Sequence, residues 1–304
     1  MAVILAYLSV ILIWSTTPLA IKWSMDANTT FIFGVAARMI ISVSVCAALL
    51  VLFRQKFQLN RTAFAAYSAA GAGAYFAMIC VYWGAQFIPT GLVSVLFGFT
   101  PFATALFAAW VLQENSFTMP KVTGMILGAT GLVFIFWDSL AVAEHAVYGI
   151  VSVLASVLIH SISTVYAKRY TKDIPALNLT TGALALAVPL YIITWFLLDG
   201  TIPHGISDTA IWSIVYLGVF GSAFGFILYY YVLKKLETAS IALITLVTPI
   251  TAMMIGVVFN NEILSAHALT GVAIILSGLL SFHWREITQK MVRREVIQAK
   301  ETEL

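Results

Sequence analysis

The sequence predicts an all-α polytopic membrane protein: ten transmembrane helices forming two inverted five-helix repeats. Three observations carry this expectation. Apolar residues make up 61% of the 304-residue chain and charged residues only 10%, against about 25% charged in soluble domains; mean hydropathy is +0.98. The apolar residues fall in long runs separated by brief polar breaks, as in helices that cross a bilayer. The chain also reads twice. Ile13, Ser15 and Lys22 recur 146 residues later as Ile159, Ser161 and Lys168. Tyr82, Thr90, Thr100, Pro101 and Glu114 recur after 148 residues as Tyr230, Thr238, Thr248, Pro249 and Glu262. Thr123, Gly124, Gly131 and Trp137 recur after 147 as Thr270, Gly271, Gly278 and Trp284. A unit that crosses five times starts its second copy from the opposite side, the sign of an inverted repeat.

The apolar segments fall at 2–22, 31–53, 63–86, 91–112, 121–137, 147–167, 177–198, 210–232, 239–259 and 267–284. Most reach the roughly 20 residues that a span needs, while the fifth and tenth are short. The first repeat is expected at 1–138 and the second, inverted, at 147–284, with a polar cytoplasmic tail at 285–304. The first segment lacks a basic leader and a small-residue cleavage site, so it is expected to be a span rather than a signal peptide.

Basic residues set the orientation. With the N-terminus inside, the inner segments carry Arg54, Lys56, Arg61, Lys121, Lys168, Arg169, Lys172, Lys234, Lys235, Arg285, Lys290, Arg293, Arg294 and Lys300, which is 14 of 16. Lys22 alone falls outside and Arg38 lies within a span. Such a bias of Lys and Arg predicts a cell (inner) membrane protein with both termini cytoplasmic.

Several classes are disfavoured. The net charge of +3 is explained by this sidedness and gives no sign of nucleic acid as a partner. A GxxxxGK[ST] phosphate loop, an HExxH zinc motif and a TVGYG filter are all missing, so no ATPase, metalloprotease or channel is indicated. Cys46 and Cys80 sit inside apolar runs without metal-ligand spacing. No enzyme, metal or cofactor is expected.

The candidate binding residues are polar groups within spans, since charges there are costly and usually functional. Arg38 can anchor a substrate carboxylate in a cavity or tie helix ends near the outer interface. His160, with Thr164 and Lys168 on the same helix face, can titrate near neutrality and serve proton coupling, or remain neutral between helices. Trp14, Ser15, Thr16, Thr17 and Pro18 interrupt the first span with hydroxyls and a proline, which suits a cavity or hinge. The matching stretch His160, Ser161, Ile162, Ser163, Thr164 is likewise polar. Pro101 and Pro249 occupy matching positions in the fourth and ninth spans, as hinges or static kinks. Tyr75, Tyr82 and Phe224 are candidate aromatic walls, with lipid or core packing as the alternative. Glu114 and Glu262 end helices where the dipole does not favour an anion; capping near Thr118 and Ser265 is the structural expectation. Gly124, Gly128 and Gly131, echoed by Gly271 and Gly278, suit close packing, either between helices or in a homodimer.

Taken together, Ile13-Trp14-Ser15, Ala20-Ile21-Lys22-Trp23, Ala36-Ala37-Arg38-Met39, the paired Thr-Pro steps, the terminal glutamates and the glycine-rich fifth helix resemble the EamA-like family of the drug/metabolite transporter superfamily. Met39 departs from the aromatic usual in that family. The resemblance covers almost the whole chain. It implies a central cavity lined by the first, third, fourth, sixth, eighth and ninth helices, which places Trp14–Thr17, His160–Thr164, Tyr75 and Phe224 on cavity-facing helices. The expected function is a secondary transporter in a lipid bilayer, exporting small amphipathic solutes such as amino acids by rocking the two repeats, coupled to a proton, a counter-solute or neither. Drug efflux, or a sensor or assembly subunit that carries nothing, are the alternatives.

Overall fold

The computed structural model describes residues 2–25, 29–111, 113, 118–142, 145–170, 174–235, 238–263 and 265–284. Every regular element among them is helical. In hydrocarbon only a helix or a closed barrel meets its own backbone hydrogen bonds, and these apolar runs take the first solution. α1 spans Ala2–Trp23, α2 Phe31–Leu52 and α3 Arg61–Gly84. α4 (Thr90–Phe97) and α5 (Thr100–Val111) share the fourth span. α6 (Met119–Val142), α7 (Ala146–Lys168) and α8 (Ala176–Leu198) follow. The eighth span joins α9 (Asp208–Tyr216), a π-helical stretch Leu217–Phe224, and α10 (Gly225–Lys235). α11 (Thr238–Asn260) and α12 (Ala266–Phe282) complete the described chain. Counting α4–α5 and α9–α10 as one rod each gives ten rods.

Seven rods are long and apolar enough to cross a membrane, and Val247–Asn260 and Leu269–Phe282 add shorter apolar stretches. Large apolar side chains face outward along them, among them Leu12, Phe196 and Trp212, the last two 71% exposed. In water such a surface would drive association; against lipid it costs nothing. The chain is a multi-pass membrane protein.

Two spans depart from the sequence expectation. The fifth was expected to be short, at 121–137, but α6 runs 24 residues, because helical hydrogen bonding continues past the end of an apolar run. The fourth, expected as one segment at 91–112, is broken at Gly98–Phe99. Pro101 lacks the N–H that would bond the Phe97 carbonyl, and the Thr100 hydroxyl donates to that carbonyl instead, at 2.6 Å. Pro249 has no such effect: α11 passes through it unbroken.

Local chemistry fixes the helix ends. Thr30, Asn60 and Ser207 accept from the N–H of Phe33, Ala63 and Ala210 and so cap α2, α3 and α9. Gly200, at φ +64°, ends α8 by returning its N–H to the Trp195 carbonyl at 2.8 Å.

The packing mixes the two halves of the sequence. α1 lies against α10 and α11, while α7 lies against α3 and α5. The first helix of each half is thus embedded among helices of the other. The α3–α7 seam is fastened by serines: Ser152, Ser156 and Ser163 donate to the carbonyls of Cys80, Ala77 and Ala69 at 2.7–2.8 Å. α6 pairs with α12 through its glycines. A Cβ at Gly124 would stand 2.5 Å from the Gly278 carbonyl oxygen, and one at Gly131 2.5 Å from that of Gly271. The glycine face open to packing or to a homodimer in the sequence is therefore used within one chain.

Hydrogen bonds also define one face of the bundle, called here the Lys22 face. There the ends of α1, α8 and α11 meet the starts of α2 and α4.

Candidate functional site

Mid-bundle, the sequence candidates of α1, α2 and α3 converge on the eighth span. Arg38 is 2% exposed. Its Nε donates to Ser222 Oγ at 2.8 Å and its Nη1 to Tyr82 Oη at 3.4 Å. The guanidinium carbon also lies 5.8 Å from the centroid of the fully buried Tyr82 ring, a cation–π distance. Among the described residues no carboxylate meets Arg38, and its Nη2 makes no hydrogen bond.

What Nη2 faces is a glycine. A Cβ at Gly221 would stand 3.5 Å from Arg38 Nη2 and 3.6 Å from Thr17 Oγ1; one at Gly225 would stand 3.4 Å from Trp14 Nε1. Three sequence candidates on two helices therefore lie against a strip formed by two glycines. The strip belongs to the π-helical stretch and the first turn after it. The wider π turn brings Ser222 under Arg38, and such bulges concentrate at functional sites. The Trp14 indole packs on Tyr229 with centroids 4.8 Å apart, and its N–H has no partner among the described residues.

The rest of the α1 cluster is tied across to the other half. Ser15, 2% exposed, shares a hydrogen bond with Thr251 of α11. Thr16 bonds the Tyr216 hydroxyl at 2.6 Å. Thr17 donates to the Ile13 carbonyl at 2.6 Å, supporting the backbone one turn before Pro18.

The α7 candidates lie elsewhere. Ser161 is fully buried and donates to the Thr100 carbonyl at 3.5 Å, just before Pro101. His160 is half-buried, Thr164 is exposed, and neither bonds to the Arg38 group. Tyr75 shares a hydrogen bond with Thr194 and packs edge-on against Tyr191 at 5.0 Å. Phe224 closes a stacked ladder with Phe220 and Tyr216, at centroid spacings of 6.0 and 5.6 Å.

Glu262 caps a helix, as expected in kind, but not near Ser265. Its carboxylate receives the Thr90 N–H at 2.9 Å, the Thr90 hydroxyl at 3.0 Å, the Gly91 N–H at 3.4 Å and the Asn260 amide at 3.0 Å. Lys22 Nζ stands 3.7 Å away. The start of α4 supplies the orphan N–H groups and positive dipole end that an anion requires. Glu114 lies outside the described residues.

Sequence reasoning missed Ser222, Thr251, Tyr216 and Tyr191. The Gly218, Gly221, Gly225 spacing on the eighth span is the one signal that pointed at Ser222's turn, since glycines clear room for a neighbouring side chain.

Comparison with known proteins agrees with this architecture. The EamA-like transporter family model matches residues 1–137 and again 147–282. The chain is similar to the uncharacterized transporter YoaV of Bacillus subtilis, 24% identical over 91% of this chain and 95% of that one. It is also similar to a "Probable terminal-alkyne amino-acid exporter" of Streptantibioticus cattleyicolor, 28% identical over 73% of each chain. A solved crystal structure superposes with a TM-score of 0.67 over 92% of this chain and 96% of its own, at 18% identity, which shows the shared fold. With ten rods, matches in both halves and a full-length transporter relative, the chain belongs to the EamA-like transporter family.

Proposed function

We propose that this protein is a secondary transporter that exports a small carboxylate-bearing metabolite, an amino acid or close relative, across the cell (inner) membrane. The carrying observation is the unanswered donor pair beside the glycine strip: Arg38 Nη2 and the Trp14 indole N–H. A buried cation in a bilayer is expensive without an anion. A substrate carboxylate landing on the strip supplies that anion, and Tyr229 and Trp14 offer an apolar wall for the rest of the molecule. The amino-acid exporter named among the relatives supports this substrate class.

The proposed cycle is alternating access between two inverted repeats, 1–138 and 147–284. The moving bodies are the mixed bundles, α1 with α10 and α11 against α3 with α5 and α7, rather than the two repeats themselves. The break before Pro101 and the helix around Pro249 are the flexing points. The Glu262 cap holds α4 to α11 on the Lys22 face, which the charge asymmetry assigns to the outside. His160 is the candidate for proton coupling.

The test is counterflow of amino acids in proteoliposomes without ATP. Arg38→Gln removes one partner of a buried charge contact, which costs about 2–5 kcal/mol, so flux should fall about thirtyfold or more. Flux equal to the parent in Arg38→Gln would remove Arg38 from substrate binding, and no flux with any solute would remove the transporter reading itself.

A further inference from the structure

A cavity of about 530 Å³ opens on the Lys22 face, within the roughly 300–1,000 Å³ usual for small-molecule sites. Its lining brings together charges of both signs that do not meet each other. Lys22 is about one-third exposed; among the described residues its contacts are the Glu262 carboxylate at 3.7 Å and the Ile88 carbonyl at 3.4 Å, both long, which leaves its ammonium group donor capacity to spare. Asp199, at the end of α8, accepts from Thr201 and, at 2.6 Å, from Thr30. Those two hydroxyls hold its carboxyl below the usual carboxylate value, so it stays ionised. No ion pair joins Lys22 to Asp199. Thr29 lines the same cavity, and its hydroxyl, on a residue only 3% exposed, has no hydrogen-bond partner among the described residues. A buried donor without a partner is costly and points to a ligand.

We infer that this vestibule is a binding station for a zwitterion, its carboxylate on Lys22 and the Thr29 hydroxyl and its ammonium group on Asp199. It deepens the export reading above and rests on it for the choice of α-amino acids. Phe31 also lines the vestibule, and Arg38 follows seven residues later on α2, about 10 Å deeper at helical rise. A solute leaving the Arg38 strip toward this face would exchange the cation of α2 for Lys22 at the end of α1. The apolar remainder of the lining, Met25, Ile32 and Leu198, leaves room for a side chain without selecting one.

The test places a trifluoromethyl label on Gln86→Cys at the cavity rim, with the labelled chain lacking that cysteine as background, and follows its fluorine resonance in detergent. Glycine, L-threonine and L-leucine are titrated, then L-leucinamide and N-acetyl-L-leucine, each of which retains one charge. A saturable shift is expected with the zwitterions. It should weaken about threefold to fivefold for either single-charge analogue, the scale of partly exposed charge pairs. Asp199→Asn, which keeps the bond from Thr30, and Lys22→Gln should weaken it equally, while Arg38→Gln leaves it in place. An equal response to single-charge analogues, parent-like titration by both vestibule variants, or no shift with any zwitterion overturns the site. Binding is read without passage. A shift in a protein that moves no solute keeps the vestibule and rejects export, whereas flux with a silent label rejects the vestibule alone.

Discussion

The polar stretch in the middle of α1 and its counterpart in α7 occupy matching places in the two halves, yet they use their hydroxyls differently. In α1, Ser15 and Thr16 bond other side chains, Thr251 and Tyr216, on helices of the second half. In α7, Ser161 and Ser163 bond backbone carbonyls, of Thr100 and Ala69. A carbonyl acceptor is indifferent to the neighbour's side chain but requires the helices to touch, and Gly73 meets that requirement: a Cβ there would stand 2.3 Å from Ser163 Cβ. Side-chain pairs are looser and can change partners. The same sequence feature therefore builds a fixed seam in one place and an adjustable contact, beside the Arg38 strip, in the other.

The largest expected effect breaks the seam. In Gly73→Ala the new methyl meets a Cβ that no rotamer can move, so α3 and α7 must separate. The cost should reach about 3 kcal/mol, read as loss of stability in a denaturing-detergent titration. Next, a double-mutant cycle of Ser15→Ala and Thr251→Val should give a coupling of about 0.6 kcal/mol, the average for hydrogen bonds between membrane helices. No coupling would mean that the α1 contact is not a bond at all. Smallest is Thr164→Val on the exposed side of α7, which should change stability by less than about 0.5 kcal/mol. A larger loss would show that α7 holds a polar contact like those of α1.

The ten rods were legible because hydropathy and the positions of lysine and arginine report directly on a bilayer. Glu262 as a cap was legible too, since a carboxylate at a helix C-terminus needs outside donors. Its partner was not: Thr90 lies 172 residues away, and only the folded packing brings α4 to α11. Symmetry misled at the prolines, because whether Pro101 breaks a helix depends on who answers the Phe97 carbonyl. The polar residues around His160 looked functional as a group. Ser161 and Ser163 bond backbone carbonyls across the seam, a contact that needs a close backbone opposite and leaves no trace in a single helix's sequence. Ser222 gained its importance only through the π turn, which moves a side chain under Arg38 in a way that no α-helical periodicity encodes.

The donors around Glu262 come from separate places: α4 gives two amides and a hydroxyl, Asn260 an amide, and α1 an ammonium group. Any movement that parts α4 from α11 withdraws the α4 donors together, from a carboxylate only 6% exposed. A half-withdrawn position leaves the anion with too few donors and not yet enough water, so it is higher in energy than either end. In the proposed cycle, opening at this face would therefore be stepwise, with few molecules caught ajar at any instant. In that cycle the carboxylate that caps the helix would also limit leak across the membrane.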